Sequence, residues 1–337
     1  MQHILVCCLN SNRIQSIQGI TDFYLETKPY EQTRLVIKAF DNVFYLHLEP
    51  NTELFHPQAV IYQDGQSVPV DRDIIYKGHV IHADDSDYIW SNYKEQQDSL
   101  GWARLVIYKR QSLYRIFPFW SNDPEINDLI IIYKDSDALP SGEDSPEHHA
   151  CGIDQLPIIH QTSVVKRSEG FLYIGVAADC TYVQHYKSKE AARMQIVNDF
   201  NTASVLFEDT FNITLGLINI TLMDRTCPAS VNNDVAWNRA CEPNYSLYDR
   251  LSDFSLWRSQ LAPDDAGLWH LMTNCPIGLE VGLAWLGQLC NTGLSKQEDD
   301  FGKTRYVSGA SVSSITRDEW KIVAHEIGHS FGKLATF

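Results

Sequence analysis

The chain has 337 residues, with 43 acidic against 27 basic and a formal charge of −16, a balance that argues against nucleic acid or an anionic membrane as its main partner. At 44% hydrophobic and 11% aromatic residues it has the composition of a globular protein, with length enough for two domains. No stretch approaches the ~20 consecutive apolar residues that a membrane-spanning helix needs.

In chain order, residues 1–20 form an uncertain N-terminus. Ile4–Leu9 is a short apolar run with no basic residue before it, less than the ~7–15 residues of a secretory h-region, and reads as a damaged signal peptide or a misplaced start. Residues 21–133 read as β-rich. Arg34–Phe40 and Val43–Leu48 flank Asp41-Asn42, which has the chemistry of a two-residue hairpin turn. Phe44, Leu46 and Leu48 alternate with Tyr45 and His47, the pattern of a half-buried strand. Ile74–Ile81, Trp102–Tyr108 and Leu129–Tyr133 are further strand candidates. Asp84, Asp85 and Asp87 lack calcium-loop spacing and read as a solvated turn. This half reads as scaffold.

From 134 to 170 the composition shifts to Ser, Pro, Asp, Glu and Gly, as in a linker. Lys166-Arg167 is a dibasic pair suited to a processing protease, and Cys151 lies upstream of it, in a segment that cleavage would release. A cysteine there can ligate a metal as thiolate and keep a site silent; an ordinary linker cysteine or a disulfide partner is the alternative. His148 and His149 read as solvated loop residues.

Residues 171–337 read as one α/β unit. Leu172–Ala177 is a short strand, Ser188–Phe207 a helix with Ile196, Phe200, Ala203 and Phe207 on one face, and Ile213–Met223 a long strand. Leu247–Leu261 has helical spacing, and Gly267–Met272 and Glu280–Leu289 are two more strands. Cys180, Cys227, Cys241, Cys275 and Cys290 contain no C-x-x-C pair and suit disulfides in an oxidising compartment, with one left to pair elsewhere. Asn212, Asn219 and Asn244 begin glycosylation triplets, which are common by chance.

The chain ends in His325-Glu-Ile-Gly-His329, an H-E-x-x-H pattern. On a helix both imidazoles project from one face and can grip one zinc ion, with Glu326 placed to take a proton from an activated water. Thr316 and Glu319 have capping-box spacing, and Trp320, Val323, Ala324, Ile327 and Phe331 follow at core-facing intervals. In the long form of the pattern a glycine turns the chain toward a third histidine. Gly332 is present, but Ala335 stands where that histidine falls. Two expectations compete: true loss of the ligand, or a chain cut short, since Gly332-Lys-Leu can be encoded by a stretch holding the intron-start consensus GTAAGT.

These residues together resemble the adamalysin/ADAM branch (reprolysin, M12B-like) of the metzincin zinc metalloproteases, most nearly its fungal members. His325–Gly332, Leu172–Cys180 and Gly282–Cys290 carry the likeness, and Ile75–Val80 is similar to a prodomain element of that family. The resemblance implies an α/β (α+β) zincin-like catalytic domain with a mixed sheet and long helices, after a β-rich prodomain. It implies Zn2+ held by His325 and His329, Glu326 as general base, Cys151 as switch cysteine and cleavage after Arg167. Leu283, Ala284, Trp285 and Leu286 would form the substrate-side edge strand. The implied function is that of a secreted or cell-surface zinc endopeptidase precursor acting on proteins or peptides. The alternative, given Ala335, is a catalytically dead relative that serves as a binding module.

Overall fold

The computed structural model describes residues 18–20, 23–27, 33–40, 42–63, 65–70, 72, 75–81, 105–109, 112–118, 130–134, 170–276, 280–299, 302–316 and 319–332. Cys151, Lys166, Arg167 and Ala335 lie outside them, as do His148, His149 and the Asp84–Asp87 turn. The chain divides into two compact units, residues 1–51 with 73–145 and residues 52–72 with 146–337.

The described part of the first unit consists of strands. β1 (Gln18–Ile20), β2 (Phe23–Thr27), β3 (Thr33–Ala39) and β4 (Asn42–Pro50) precede an excursion of the chain into the second unit; β7 (Tyr76–Ile81), β8 (Leu105–Lys109), β9 (Ser112–Pro118) and β10 (Ile130–Lys134) follow it. They form two antiparallel sheets of four, ordered β1-β10-β9-β8 and β2-β3-β4-β7. The hairpin expected around Asp41-Asn42 exists one residue out of place. Ala39 pairs with Asn42, and Phe40 turns with φ +52°. Phe44 and Leu46 are buried, as their alternation requires.

The second unit is built on a mixed sheet of seven strands, ordered β14-β17-β13-β11-β12-β5-β6. β5 (Phe55–Gln63) and β6 (Gln66–Val68) come from the early excursion; β11 (Gly170–Ala178), β12 (Ile213–Leu222), β13 (Leu268–Thr273), β14 (Gly282–Ala284) and β17 (Ala310–Ser314) supply the rest. β15 (Ser295–Glu298) and β16 (Thr304–Val307) form a separate hairpin. The central strand β11 reads Gly-Phe-Leu-Tyr-Ile-Gly-Val-Ala-Ala, a near-continuous apolar run, because parallel neighbours and helices cover it on all sides. Gly175 is required there: a Cβ would stand 2.2 Å from the Trp269 indole.

Helices pack on both faces. α1 (Cys180–His185) starts at Asp179, whose side chain accepts from the Thr181 and Tyr182 amides. α2 (Lys189–Phe211) is capped by Ser188 and closed by Asn212 in the left-handed region. α3 (Leu247–Gln260) opens with a reciprocal Ser246/Asp249 capping box. α4 (Glu319–Ser330) closes the described chain. Period-2 alternation sorts the sheet's side chains. Trp269, Leu271, Leu283, Ala310 and Val312 face α3, in a cluster with Leu251, Phe254, Trp237 and Trp285. His270, Ser311 and Ser313 face the other way, where the Phe200 ring of α2 meets His270 edge-on at 5.9 Å.

Two disulfides, Cys180–Cys227 and Cys241–Cys275, tie the loops at the ends of β11, β12 and β13. Cys290 is a free, exposed thiol in the structure. Under these loops Arg250 and Asp179 form a buried ion pair at 2.8 Å, and Asp179 also accepts from Thr273 Oγ1 at 2.6 Å. Arg250 donates further to the Trp237 and Arg239 carbonyls, which offsets part of the pair's desolvation, while its buried Nε makes no hydrogen bond among the described residues.

Candidate active site

α4 carries the H-E-x-x-H residues and inserts Val323, Ala324 and Ile327, all fully buried, against the core. Its start differs from the expected capping box. Thr316 Oγ1 makes no hydrogen bond among the described residues. The Glu319 carboxylate instead accepts from the Tyr182 hydroxyl at 2.9 Å and from Tyr186. α1 therefore holds the first turn of α4. The Tyr182 phenol is pushed well above its usual range, first by burial and then by the charge of Glu319. Trp320 and Phe331, expected in the core, are only half-buried.

The last turn is held from another direction. The His329 carbonyl accepts from Gly287 N at 3.0 Å and Gly332 N at 2.9 Å, and the Ser330 carbonyl from Leu289 N at 3.0 Å. Orphan carbonyls at the end of a helix need such donors, and the segment after β14 provides them. Gly332 takes φ +78° and Gly287 φ +68°, conformations that favour glycine at both ends of this contact.

Between these anchors the His325 and His329 rings lie 4.5 Å apart, nearly perpendicular. His329 and Glu326 are buried, His325 half-buried. Burial, followed by the neighbouring His329, holds the His325 pKa down to about 4, so its imidazole is neutral at physiological pH, the form that ligates metals. Both Nε2 atoms and Glu326 Oε2 are shielded from solvent and make no hydrogen bond among the described residues, while all three residues have further interactions. Two imidazoles side by side on one helical turn fit two ligand positions of a zinc site. No group of three or more His, Cys, Asp or Glu placed to hold a metal occurs among the described residues.

The edge strand lies against the glutamate. A Cβ on Gly282 would stand 2.2 Å from Glu326 Oε1 and 2.8 Å from its Cδ and from Ile322 Cγ2. Only glycine at this position of β14 lets the carboxylate sit where it does. β14 is shorter than the expected Glu280–Leu289. Leu283 and Ala284 belong to the strand, antiparallel to β17, whereas Trp285 and Leu286 leave it. Trp285 turns inward and donates Nε1–H to Ser255 Oγ at 2.7 Å, and Leu286 is exposed. Leaving the sheet at Trp285 is what frees the following backbone to cap α4. Nothing in the sequence marks Gly282 or Glu319 as neighbours of the H-E-x-x-H residues, whose own spacing is plain in it.

An α/β unit whose mixed sheet ends in a short antiparallel strand beside an H-E-x-x-H helix is a zincin-like metallopeptidase domain. Residues 171–333 match the profile Reprolysin_5, metallo-peptidase family M12. Over these residues the chain is similar to the ADAM/reprolysin-type metallopeptidases. It is 40% identical over 185 residues to "Disintegrin and metalloproteinase domain-containing protein B" of Aspergillus fumigatus, a match covering 55% of this chain and 23% of that one. It is 28% identical over 178 residues to the "Zinc metalloprotease mde10" of Schizosaccharomyces pombe, covering 48% and 33%. With the "Zinc metalloproteinase-disintegrin-like atragin" of Naja atra it shares 24% over 344 residues, 93% of this chain and 49% of the other. The chain thus spans about a quarter of the length of the first of these relatives. Among the described residues no helix is long and apolar enough to cross a membrane.

Proposed function

We propose that the chain is the precursor part of a zinc-dependent metalloendopeptidase of the secretory pathway, in which residues 21–133 act as prodomain, 134–170 as processed linker and 171–337 as catalytic domain. The observation that carries this reading is the side-by-side pair His325 and His329, with the buried Glu326 carboxylate seated on the Gly282 backbone. His325 and His329 bind zinc, which when bound supplies Lewis acidity toward the scissile carbonyl and toward water. Glu326 holds the proton released from the attacking water and returns it to the leaving amine. Leu283 and Ala284 on the sheet edge orient an extended substrate backbone by strand addition, which favours internal cleavage. The disulfides support an oxidising compartment. On this reading Cys151 is the inhibitory thiolate ligand and Lys166-Arg167 the processing site.

Ala335 favours a second reading, a non-catalytic relative that keeps the fold for contact. Equilibrium dialysis with zinc, paired with cleavage of a denatured protein, separates the two. The peptidase reading expects stoichiometric zinc, lost in His329→Ala, and chelator-sensitive cleavage that Glu326→Gln lowers about 10²–10⁴-fold with zinc retained. Zinc uptake without cleavage supports the non-catalytic relative. Zinc uptake no greater in the native chain than in His325→Ala/His329→Ala overturns the metal site.

A further inference from the structure

The sheet of the second unit ends, at the edge opposite β14, in a hairpin drawn from early in the chain. β5 runs parallel to β12, with Leu217 opposite Phe55 and then Ile220 opposite Ile61, and β6 folds back antiparallel on β5. The residues on either side, 1–51 and 73–145, belong to the other unit.

The docking is built in detail. Leu54, Phe55 and Ile61 are buried, and the Leu54 carbonyl accepts from Leu217 N at 2.6 Å. Between the two paired stretches the register breaks and β5 bulges around Pro57. Arg72 closes the bulge by donating to the carbonyls of Phe55, His56 and Pro57 at 3.0, 2.7 and 3.1 Å. His56 sets its ring edge-on to Tyr173 of β11 at 4.5 Å, and Gln63 donates to Glu190 of α2 at 3.2 Å. The hairpin replaces the long edge of β12 with β6, three residues followed by Pro69. A short polar strand running into proline is a poor template for further pairing.

We propose that the outer edge of β12 is a strand-docking site and that residues 52–72 are its dedicated occupant, tethering the N-terminal half to the catalytic unit after the chain is cut between 134 and 170. The occasion for the cut rests on the precursor reading; the pairing does not. The tether holds the edge opposite β14, so it retains the N-terminal half without pairing to the strand assigned to substrate. Release then requires peeling a parallel strand from the sheet, an event separate from cleavage of the linker.

The test is to replace residues 158–164 of the full chain with the recognition sequence of a site-specific protease, cut it, and follow the fragments by sedimentation at micromolar concentration. The wild-type fragments are expected to travel together. Ile61→Asp and the milder Arg72→Gln, checked for native circular dichroism before cutting, are expected to weaken the association at least tenfold. A synthetic 52–72 peptide added in excess is expected to displace the N-terminal fragment. Separation of the wild-type fragments overturns the proposal, as does association in both variants as tight as in wild type. Neither zinc nor cleavage activity is read, so failure of the peptidase reading leaves this result interpretable.

Discussion

Gly282 illustrates how a residue without a side chain can set the position of a buried carboxylate. The carboxylate of Glu326 occupies the space a Cβ would need, so Gly282→Ala must push the acid or the Ile322 turn away from β14. Overpacking of this kind costs about 1–3 kcal/mol, measurable by denaturant unfolding. The decisive comparison is a double-mutant cycle. In a Glu326→Ala background the cost of Gly282→Ala should fall to the part due to Ile322, whereas in Glu326→Gln, which keeps the volume, it should persist within about 0.5 kcal/mol. Equal costs in all backgrounds would show that the glycine does not position the acid. The H-E-x-x-H set itself was legible because its geometry is local, two residues one helical turn apart. The glycine was not, because its partner is distant in sequence and nothing about an isolated Gly names what it will touch.

Among the elements, β17 is the one that sequence patterning passes over. Ala-Ser-Val-Ser-Ser has little apolar character, yet every residue is buried. The serines are there to serve the neighbouring strand: Ser311 and Ser313 bond the two ring nitrogens of His270 at 2.7 and 2.8 Å. Burial holds the pKa of that histidine down to about 3, while in the unfolded chain it titrates near ~6.5. The folded state therefore binds fewer protons than the unfolded state between these values. Its contribution to stability is complete above ~6.5 and is lost as the pH falls toward 3. The stability difference between wild type and His270→Gln, followed by urea unfolding from pH 7 to 4, should shrink by about 1.4 kcal/mol per pH unit once below ~6.5. A difference independent of pH would mean the ring is protonated in the fold. The start of α4 makes a related point. Glu319 has the spacing of a cap partner, but hydroxyls from α1 reach its carboxylate and take it.

For the molecule as a whole, the second unit is clasped at both sheet edges and at its strand ends. Cys180–Cys227 and Cys241–Cys275 close loops of 47 and 34 residues, and in the chain-entropy view each stabilises by about 4 kcal/mol. Cys180→Ser/Cys227→Ser should therefore lower the unfolding free energy of this unit by about 2–5 kcal/mol, read in denaturant; a loss under 1 kcal/mol would place the stability elsewhere. Among the five cysteines of residues 171–337, the sequence established an odd number and left the pairing open. Local periodicity determined the helices α2, α3 and α4, the apolar strands β11, β12 and β13, and the face of α4 that carries His325 and His329, because each is written in neighbouring residues. The recruitment of 55–68 into a distant sheet, the early exit of the edge strand at Trp285 and the seating of Glu326 on Gly282 emerged only on folding. Each depends on surfaces meeting across long separations, where the outcome is set by which backbone edge and which cavity are left to fill.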